Sequence, residues 1–221
     1  MKKKFIGIII LILITGSQTP LCINASKENN LLDGGWIEEI DDIKVLFLSG
    51  THYEMGYQQG ILLKDDIKKS YRSWFSSTEK RGVTKIELLE IWNQSKNKIP
   101  QYYIDEIQGI ADGANISYND VAAIAAIGIG IYMSAQCSCY SAWGNATRDG
   151  KLYHVRSSDW SLHLKDPDSN TFECNRQIVI VRNPDFGYDS VSISLPGCIC
   201  VEEGINERKI VTGYTNVLVD V

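Results

Sequence analysis

The stretch of sequence that decides the fold is QCSCYSAWGNATRDGKLYHVRSSD, residues 136–159. Alternating residue types on both sides of an Arg-Asp-Gly turn signal predict two antiparallel strands. Cys137 stands at the head of the first strand, and the second strand ends in Arg156 and Asp159, which are separated by two serines. The hairpin therefore brings a thiol toward two charged side chains.

The length of the turn decides whether Asp159 can reach Cys137. With a two-residue turn, Asp159 would face Tyr140, three residues or roughly 10 Å from Cys137 along the strand. We therefore expect a bulge around residues 143–145 that absorbs three residues and brings Asp159 level with Cys137.

Composition sets the class of protein. The chain has 221 residues, of which 44% are hydrophobic, which is typical of one globular domain or slightly more. The net charge is −5, and no basic block is longer than the three lysines near the start of the chain, so nucleic acid is excluded as a partner.

The start of the chain has the layout of a secretory signal. Three lysines precede an apolar run from Phe5 to Ile14, and we expect cleavage after Ala25. The run is shorter than the roughly 20 apolar residues that span a bilayer. We therefore predict a secreted or extracytoplasmic protein with no stable membrane span once the signal is removed.

The cysteine count suggests a thiol in use. Of six cysteines, Cys22 leaves with the signal, and the five that remain are Cys137, Cys139, Cys174, Cys198 and Cys200. An odd number in an oxidising compartment indicates one free thiol or a pair between chains, with up to two disulfides among the others. A thiol kept free there is a candidate nucleophile.

Periodicity predicts helices before Cys137, after one short strand. The predicted elements are a strand at Ile43 to Leu48 and helices at Tyr53 to Phe75, Thr84 to Lys96, Pro100 to Gly113, and Ser117 to Ala126. Thr84 and Glu87 form a capping box, and Gly113 is the expected left-handed stop.

Beyond Gln136 the period is two. The predicted strands are Tyr140 to Thr147, Lys151 to Arg156, Gln177 to Arg182, Ser190 to Leu195, Cys198 to Glu202 and Lys209 to Thr215. The sequence is therefore helical before Cys137 and rich in strands after it.

A cysteine that attacks an acyl carbon reacts as its thiolate and needs a base or a nearby positive charge. The candidate bases are the three histidines, His52, His154 and His163, none of which is paired with Cys137 by spacing. A cut before Cys137 would instead release an α-amino group, a base on the same residue as the thiol. Arg156 is the third possibility, as a positive charge beside the sulfur.

Four segments in order resemble one family. Residues 137–160, CSCYSAWGNATRDGKLYHVRSSDW, are similar to the nucleophile hairpin of cysteine N-terminal-nucleophile (Ntn) hydrolases. GTHYEMGYQQG at 50–60 and EIQGIADGANISYNDV at 106–121 resemble the pro-segment of the isopenicillin N acyltransferase peptidase family, which is related to acid ceramidase and the choloylglycine hydrolases. LPGCICVEEGINERKI at 195–210 is similar to later stretches of that family.

The resemblance implies residue roles. Cys137 would be the nucleophile, Arg156 would lie beside the thiol, Asp159 would hold the α-amino group, and Asn216 would stabilise the oxyanion. Asn206 is interpreted as a turn residue. The chain departs from the family pattern at Ser157, where asparagine is usual, and at Lys209, where glycine is usual.

The resemblance also implies an α+β fold, the αββα sandwich of Ntn hydrolases, preceded by a helical pro-segment. The expected organisation is a signal at 1–25, a pro-segment at 26–136 and the start of the catalytic chain at 137–221. The implied function is that of a self-processing amidase or N-acyltransferase that cleaves a linear N-acyl amide through a thioester on Cys137. Its partner would be a small-molecule N-acyl amide, and no cofactor is required.

The last residues, TGYTNVLVDV, form a strand-like run with no cap or turn after it. Residues 137–221 supply about six strands and no obvious covering helix, whereas a two-sheet sandwich needs both faces covered. We therefore expect an incomplete, truncated sandwich that exposes an apolar face. Expressed alone, it should self-associate by aggregation or need a second polypeptide, and process slowly if at all.

Two other hypotheses remain open at this point. The Cys-x-Cys pairs with Cys174 could bind zinc, which titration of thiols before and after a chelator would detect. Alternatively, the chain could be a secreted binding protein without enzyme activity, held by disulfides. Electrophoresis under reducing conditions separates these hypotheses, because only the hydrolase yields two fragments.

Overall fold

The structure is a computed structural model that describes residues 32–130, 136–159, 163–199, 203–213 and 215. The predicted signal, residues 1–25, lies outside the described residues. The helices of the described chain are α1 (His52–Leu62), α2 (Lys64–Lys80), α3 (Lys85–Ser95), α4 (Gln101–Ala114) and α5 (Tyr118–Gly130). Short 3-10 turns lie at Lys96–Lys98 and Glu173–Asn175. Within the described part of the chain, no helix combines the length and apolar character needed to cross a membrane.

The strands are β1 (Trp36–Ile40), β2 (Ile43–Gly50), β3 (Gln136–Gly144), β4 (Gly150–Asp159), β5 (Ile178–Pro184), β6 (Ser190–Ser194), β7 (Glu203–Asn206) and β8 (Val211–Gly213). The α+β class is therefore confirmed. The change from helices to strands near Cys137 is also found, and the short strand predicted before the helices is β2. Strand β1 was not predicted.

The strands form two sheets. The large sheet has six strands in the order β1-β2-β5-β6-β7-β8, and β3 pairs only with β4. The β2·β5 pair is parallel and the other pairs are antiparallel. Strands from both halves of the sequence thus share one sheet.

The two faces of the large sheet have different neighbours. Directly paired residues share a face, and one such row is Ile180, Ser192, Gly204 and Thr212. Ile180 packs in the core with the helices, so this is the helix face. The adjacent row is Val179, Ile193, Glu203 and Gly213.

The hairpin of β3 and β4 lies on that second face. A Cβ added to Gly213 would lie 2.5 Å from His154 Nε2, and Glu203 contacts Arg156. The described layers are therefore helices, six-stranded sheet and hairpin, in that order.

Helices α1 and α4 pack backbone against backbone. A Cβ on Gly109 would lie 2.1 Å from the Tyr53 carbonyl oxygen, and one on Gly113 would lie 2.2 Å from that of Tyr57. The prediction that Gly113 is the left-handed stop of α4 is therefore wrong. The left-handed residue is Asn115, at φ 52°, and Gly113 serves the helix contact instead.

Local signals predicted the ends of two other helices. Thr84 caps α3, and its capping box with Glu87 is confirmed. Ser117 accepts a hydrogen bond from the Asn119 N–H at the start of α5, which packs on α3.

Two element predictions are wrong. The single helix predicted from Tyr53 to Phe75 is broken at Leu63, whose ψ of 20° leaves the helical range. Of the strand predicted at Cys198 to Glu202, only residues 198 and 199 are described, and they are not in a strand. The chain just before them is tied to the helices, because Gly197 donates its N–H to Gln59 and accepts from the Tyr71 hydroxyl.

Candidate active site

The hairpin register brings Asp159 close to Cys137 along the ladder. Cys137 pairs with Ser158, and Asp159 pairs with Gln136. The register shifts by one residue between Ala142 and Gly144, with the extra residue on β4, so the expected three-residue bulge on β3 is wrong. The assumed two-residue turn is also wrong, and the five-residue loop at 145–149 sets the register instead. The backbone of Asp159 therefore lies opposite the residue that precedes Cys137.

Arg156 lies beside the predicted nucleophile. One of its Nη atoms is 3.2 Å from Cys137 Sγ, and its side chain is 0% exposed. A guanidinium at this distance stabilises negative charge on the sulfur, which is the reactive form of cysteine. The predicted juxtaposition of thiol and positive charge is present.

Glu203, which was not predicted from the sequence, approaches Arg156 from the large sheet. The Arg156 Nη1 to Glu203 Oε1 distance is 3.7 Å, and the Glu203 side chain is 20% exposed. Burial raises the pKa of Glu203 above its ordinary value, and the positive charge of Arg156 partly opposes this. The sequence signal that could have found it is a carboxylate two residues before Ile205 on a short strand, which places both side chains on the same face of the sheet.

Neither His154 nor His52 supplies a base to Cys137. Ser141 Oγ lies 2.7 Å from His154 Nδ1. Since Ser141 is four residues from Cys137, His154 lies roughly 13 Å along the strand. His52 is on the helix side of the large sheet, where its Nδ1 lies 2.7 Å from Glu106 Oε2, and His163 is exposed.

Two predicted site residues lie outside what the structure describes. These are the side chain of Asp159 and the whole of Asn216. Asn206 occupies the turn after β7, where its Oδ1 accepts 3.0 Å bonds from the backbone N–H groups of Arg208 and Ile210. The interpretation of Asn206 as a turn residue is confirmed. Lys209 takes φ 64° there, the conformation for which the family pattern has glycine.

Cys139 and Cys174, two of the remaining cysteines that the structure describes, are not part of a metal-binding cluster. Cys139 and Cys174 are exposed thiols, so the option of two disulfides is not realised among the described residues. In the same part of the chain, no three histidine, cysteine or acidic side chains come together as metal ligands. Cys200 lies outside the described residues.

Comparison with known proteins gives distant relatives. The chain is 25% identical to protein dcd1B of Dictyostelium discoideum, over 66% of this chain and 33% of that protein. It is 24% identical to an uncharacterised protein of Archaeoglobus fulgidus, over 81% of this chain and 34% of the relative. The chain thus spans about a third of the length of these relatives.

One relative has a stated activity. The chain is 28% identical to the beta-alanyl-dopamine/carcinine hydrolase of Drosophila melanogaster, over 35% of this chain and 21% of that enzyme. No family model matches the chain. The comparisons therefore establish a distant link to a hydrolase.

Proposed function

We propose that this chain carries the nucleophile of a cysteine amidase or N-acyltransferase that acts on linear N-acyl amides. The observation that carries the proposal is the 3.2 Å contact between Cys137 Sγ and buried Arg156. The distant similarity to the beta-alanyl-dopamine/carcinine hydrolase, whose named substrate carries a beta-alanyl group, supports the reaction class. The four segments that resemble Ntn hydrolases support the same class.

The proposed activation is cleavage of the Gln136–Cys137 bond. Water adds across this peptide bond, so that residue 136 gains a carboxyl group and Cys137 gains a free α-amino group. An α-amino group ordinarily has a pKa of about 7.7 to 8.0, so this amine can serve as the base for its own thiol. Asp159 pairs with Gln136, so the backbone of Asp159 lies beside the Gln136–Cys137 bond. This position supports the proposed role of Asp159 in holding the amine.

In the proposed reaction the α-amino group takes the thiol proton, and the sulfur attacks the amide carbon. The C–N bond breaks, the leaving amine takes the proton from the α-ammonium group, and a thioester remains on Cys137. Water, or an acceptor amine, then breaks the C–S bond and regenerates the thiol. Asn216 is the proposed oxyanion donor.

The test is mass spectrometry of the purified protein, followed by a screen against N-acyl amines. We expect a fragment that begins with Cys137, and release of free amine from a substrate in the panel. Cys137→Ala should stay one chain and be inactive. Cys139→Ala is the matched control, because it removes a thiol two residues away on the same strand. Cleavage of Cys137→Ala at the wild-type rate would disprove autoprocessing.

A further inference from the structure

A cavity of about 790 Å³ lies on the helix face of the large sheet, away from Cys137. Thr212 lines it, whereas the adjacent residue of β8, Gly213, lies against the hairpin. The six-stranded sheet therefore separates this cavity from the candidate active site. Its volume is in the range of small-molecule pockets.

The cavity exists because this face of the sheet loses its large side chains. On β2 and β5 the helix face carries large apolar residues, and they are Leu46, Leu48, Ile178 and Ile180. On the next three strands it carries small ones, and they are Ser190, Ser192, Ser194, Gly204 and Thr212. Helix α1 packs on β2 and β5. Residues of α1, α3, α4 and α5 line the cavity that remains beside the small residues.

Charged groups meet at one end of the cavity. Glu106 of α4 is 2% exposed, lies 2.7 Å from His52 Nδ1, and accepts a loose 3.4 Å contact from Arg182 of β5. Arg182 donates a second bond, at 3.0 Å, to Ser192. The Arg182 and Glu106 charges cancel, and the His52 ring lies beside them.

Arg182 has more hydrogen-bond donors than it uses on the described residues. A guanidinium has five N–H donors, and Arg182 uses two of them on described residues. The residue is only 9% exposed and lines the cavity. Both Nη atoms have a partner in Ser192 or Glu106, and the N–H groups that these bonds leave over are available to an acceptor placed in the cavity. A carboxylate is the acceptor whose two oxygens match a guanidinium.

The rest of the wall is apolar and aromatic. Trp92, Ile107 and Ile124 are buried at its base, and Phe186 and Tyr188 are exposed at the β5–β6 loop. Tyr103 lies 5.4 Å from the His52 ring, and burial raises the pKa of Tyr103, so its phenol stays a neutral donor. Such a wall suits the body of an aromatic molecule.

We propose that this cavity binds a small aromatic carboxylic acid, with the carboxylate on Arg182 and His52 and the ring against the apolar wall. An amine of the same shape would find no uncompensated negative charge and would approach Arg182. The site therefore selects acids over amines.

The test uses three probes with the same ring, 2-naphthylacetate, 2-(2-naphthyl)ethylamine and 2-(2-naphthyl)ethanol, titrated into the full chain by calorimetry. We expect the acid to bind at least ten times more tightly than the amine. Binding does not require turnover at Cys137, so its failure is separate from failure of the proposed hydrolase.

Variants locate the site. Arg182→Met alone would remove one of the two partners of buried Glu106 and change the net charge of the cluster, so the variant to use is Arg182→Met/Glu106→Gln. It should lose acid binding at least tenfold, as should Ala125→Phe, which fills the cavity without changing charge. Arg176→Met/Glu173→Gln removes another buried Arg–Glu pair, which does not line the cavity, and should bind like wild type. Equal binding of the three probes, no binding to folded wild type, or acid binding that survives in the Arg182 variant would overturn the proposal.

Discussion

Glu203 holds Arg156 from the opposite sheet, with its Oε1 3.7 Å from Nη1 of the guanidinium. The other Nη atom faces Cys137 Sγ at 3.2 Å. Arg156 therefore lies between an acid and a thiol, and its position depends on two sheets at once. This arrangement separates residues that touch the sulfur from residues that orient its neighbour.

Replacing Arg156 with Gln should reduce amide hydrolysis at least about a hundredfold, because a charge-assisted donor at the reacting sulfur is lost. Asp159→Asn should show a similar loss if it holds the α-amino group. For both, we expect only a modest change in melting temperature, measured beside kcat/KM per folded molecule. Arg148→Gln, on the exposed hairpin loop, is the control. Equal losses in stability with normal activity would make both residues structural.

Glu203→Gln should lower activity less than Arg156→Gln, by about tenfold, because Glu203 acts through Arg156. As a positioning residue it should change the pH dependence of the rate, which a residue needed only for folding would not. Rescue by Glu203→Asp would support an electrostatic role. An unchanged pH–rate profile in Glu203→Gln would contradict it.

The same variant should change the pH dependence of stability. Burial raises the folded-state pKa of Glu203, so the folded protein binds this proton more tightly than the unfolded chain does. Wild-type stability relative to Glu203→Gln should therefore be greatest below about pH 4 and fall as pH rises through the raised pKa. Urea melts of both proteins from pH 4 to pH 7 would measure this. A difference that grows with pH would reverse the assignment.

Asp166 should give the opposite pH dependence. It is 0% exposed, and two hydrogen bonds from Arg72 hold the pKa of Asp166 well below its ordinary value. Its contribution is therefore present above about pH 4 and is lost as pH falls below that value. Asp166→Asn should cost about 1–3 kcal/mol at pH 7 and much less at pH 3. Asp168→Asn, whose carboxylate is 71% exposed, is the control.

Gly109→Ala tests the contact between α1 and α4. In an isolated helix alanine is better than glycine by about 1 kcal/mol. Here the added Cβ would lie 2.1 Å from the Tyr53 carbonyl oxygen, so we expect a loss of about 1–3 kcal/mol instead. Gly128→Ala on α5 is the matched control, because nothing lies within 4 Å of its added Cβ. Chemical denaturation of both variants should give changes of opposite sign.

The features predicted correctly from sequence are those set by nearby residues. The Thr84 capping box and the turn at Asn206 each depend on a few consecutive side chains. Glu203 was missed because its partner is 47 residues earlier in the chain and the two meet only when the sheets pack. The cavity was not predicted for a similar reason. It forms only when the face of β6 that carries serines packs beneath helices that precede Cys137 in the chain.

The parallel pairing of β2 with β5 has a consequence for folding. β2 precedes the proposed cut at Gln136–Cys137 and β5 follows it, and the two strands are joined along seven residue pairs. A cut chain would therefore remain one particle while folded, yet its pieces would separate on melting. Refolding would change from first order to second order, and only the cut form would melt at a temperature that depends on protein concentration.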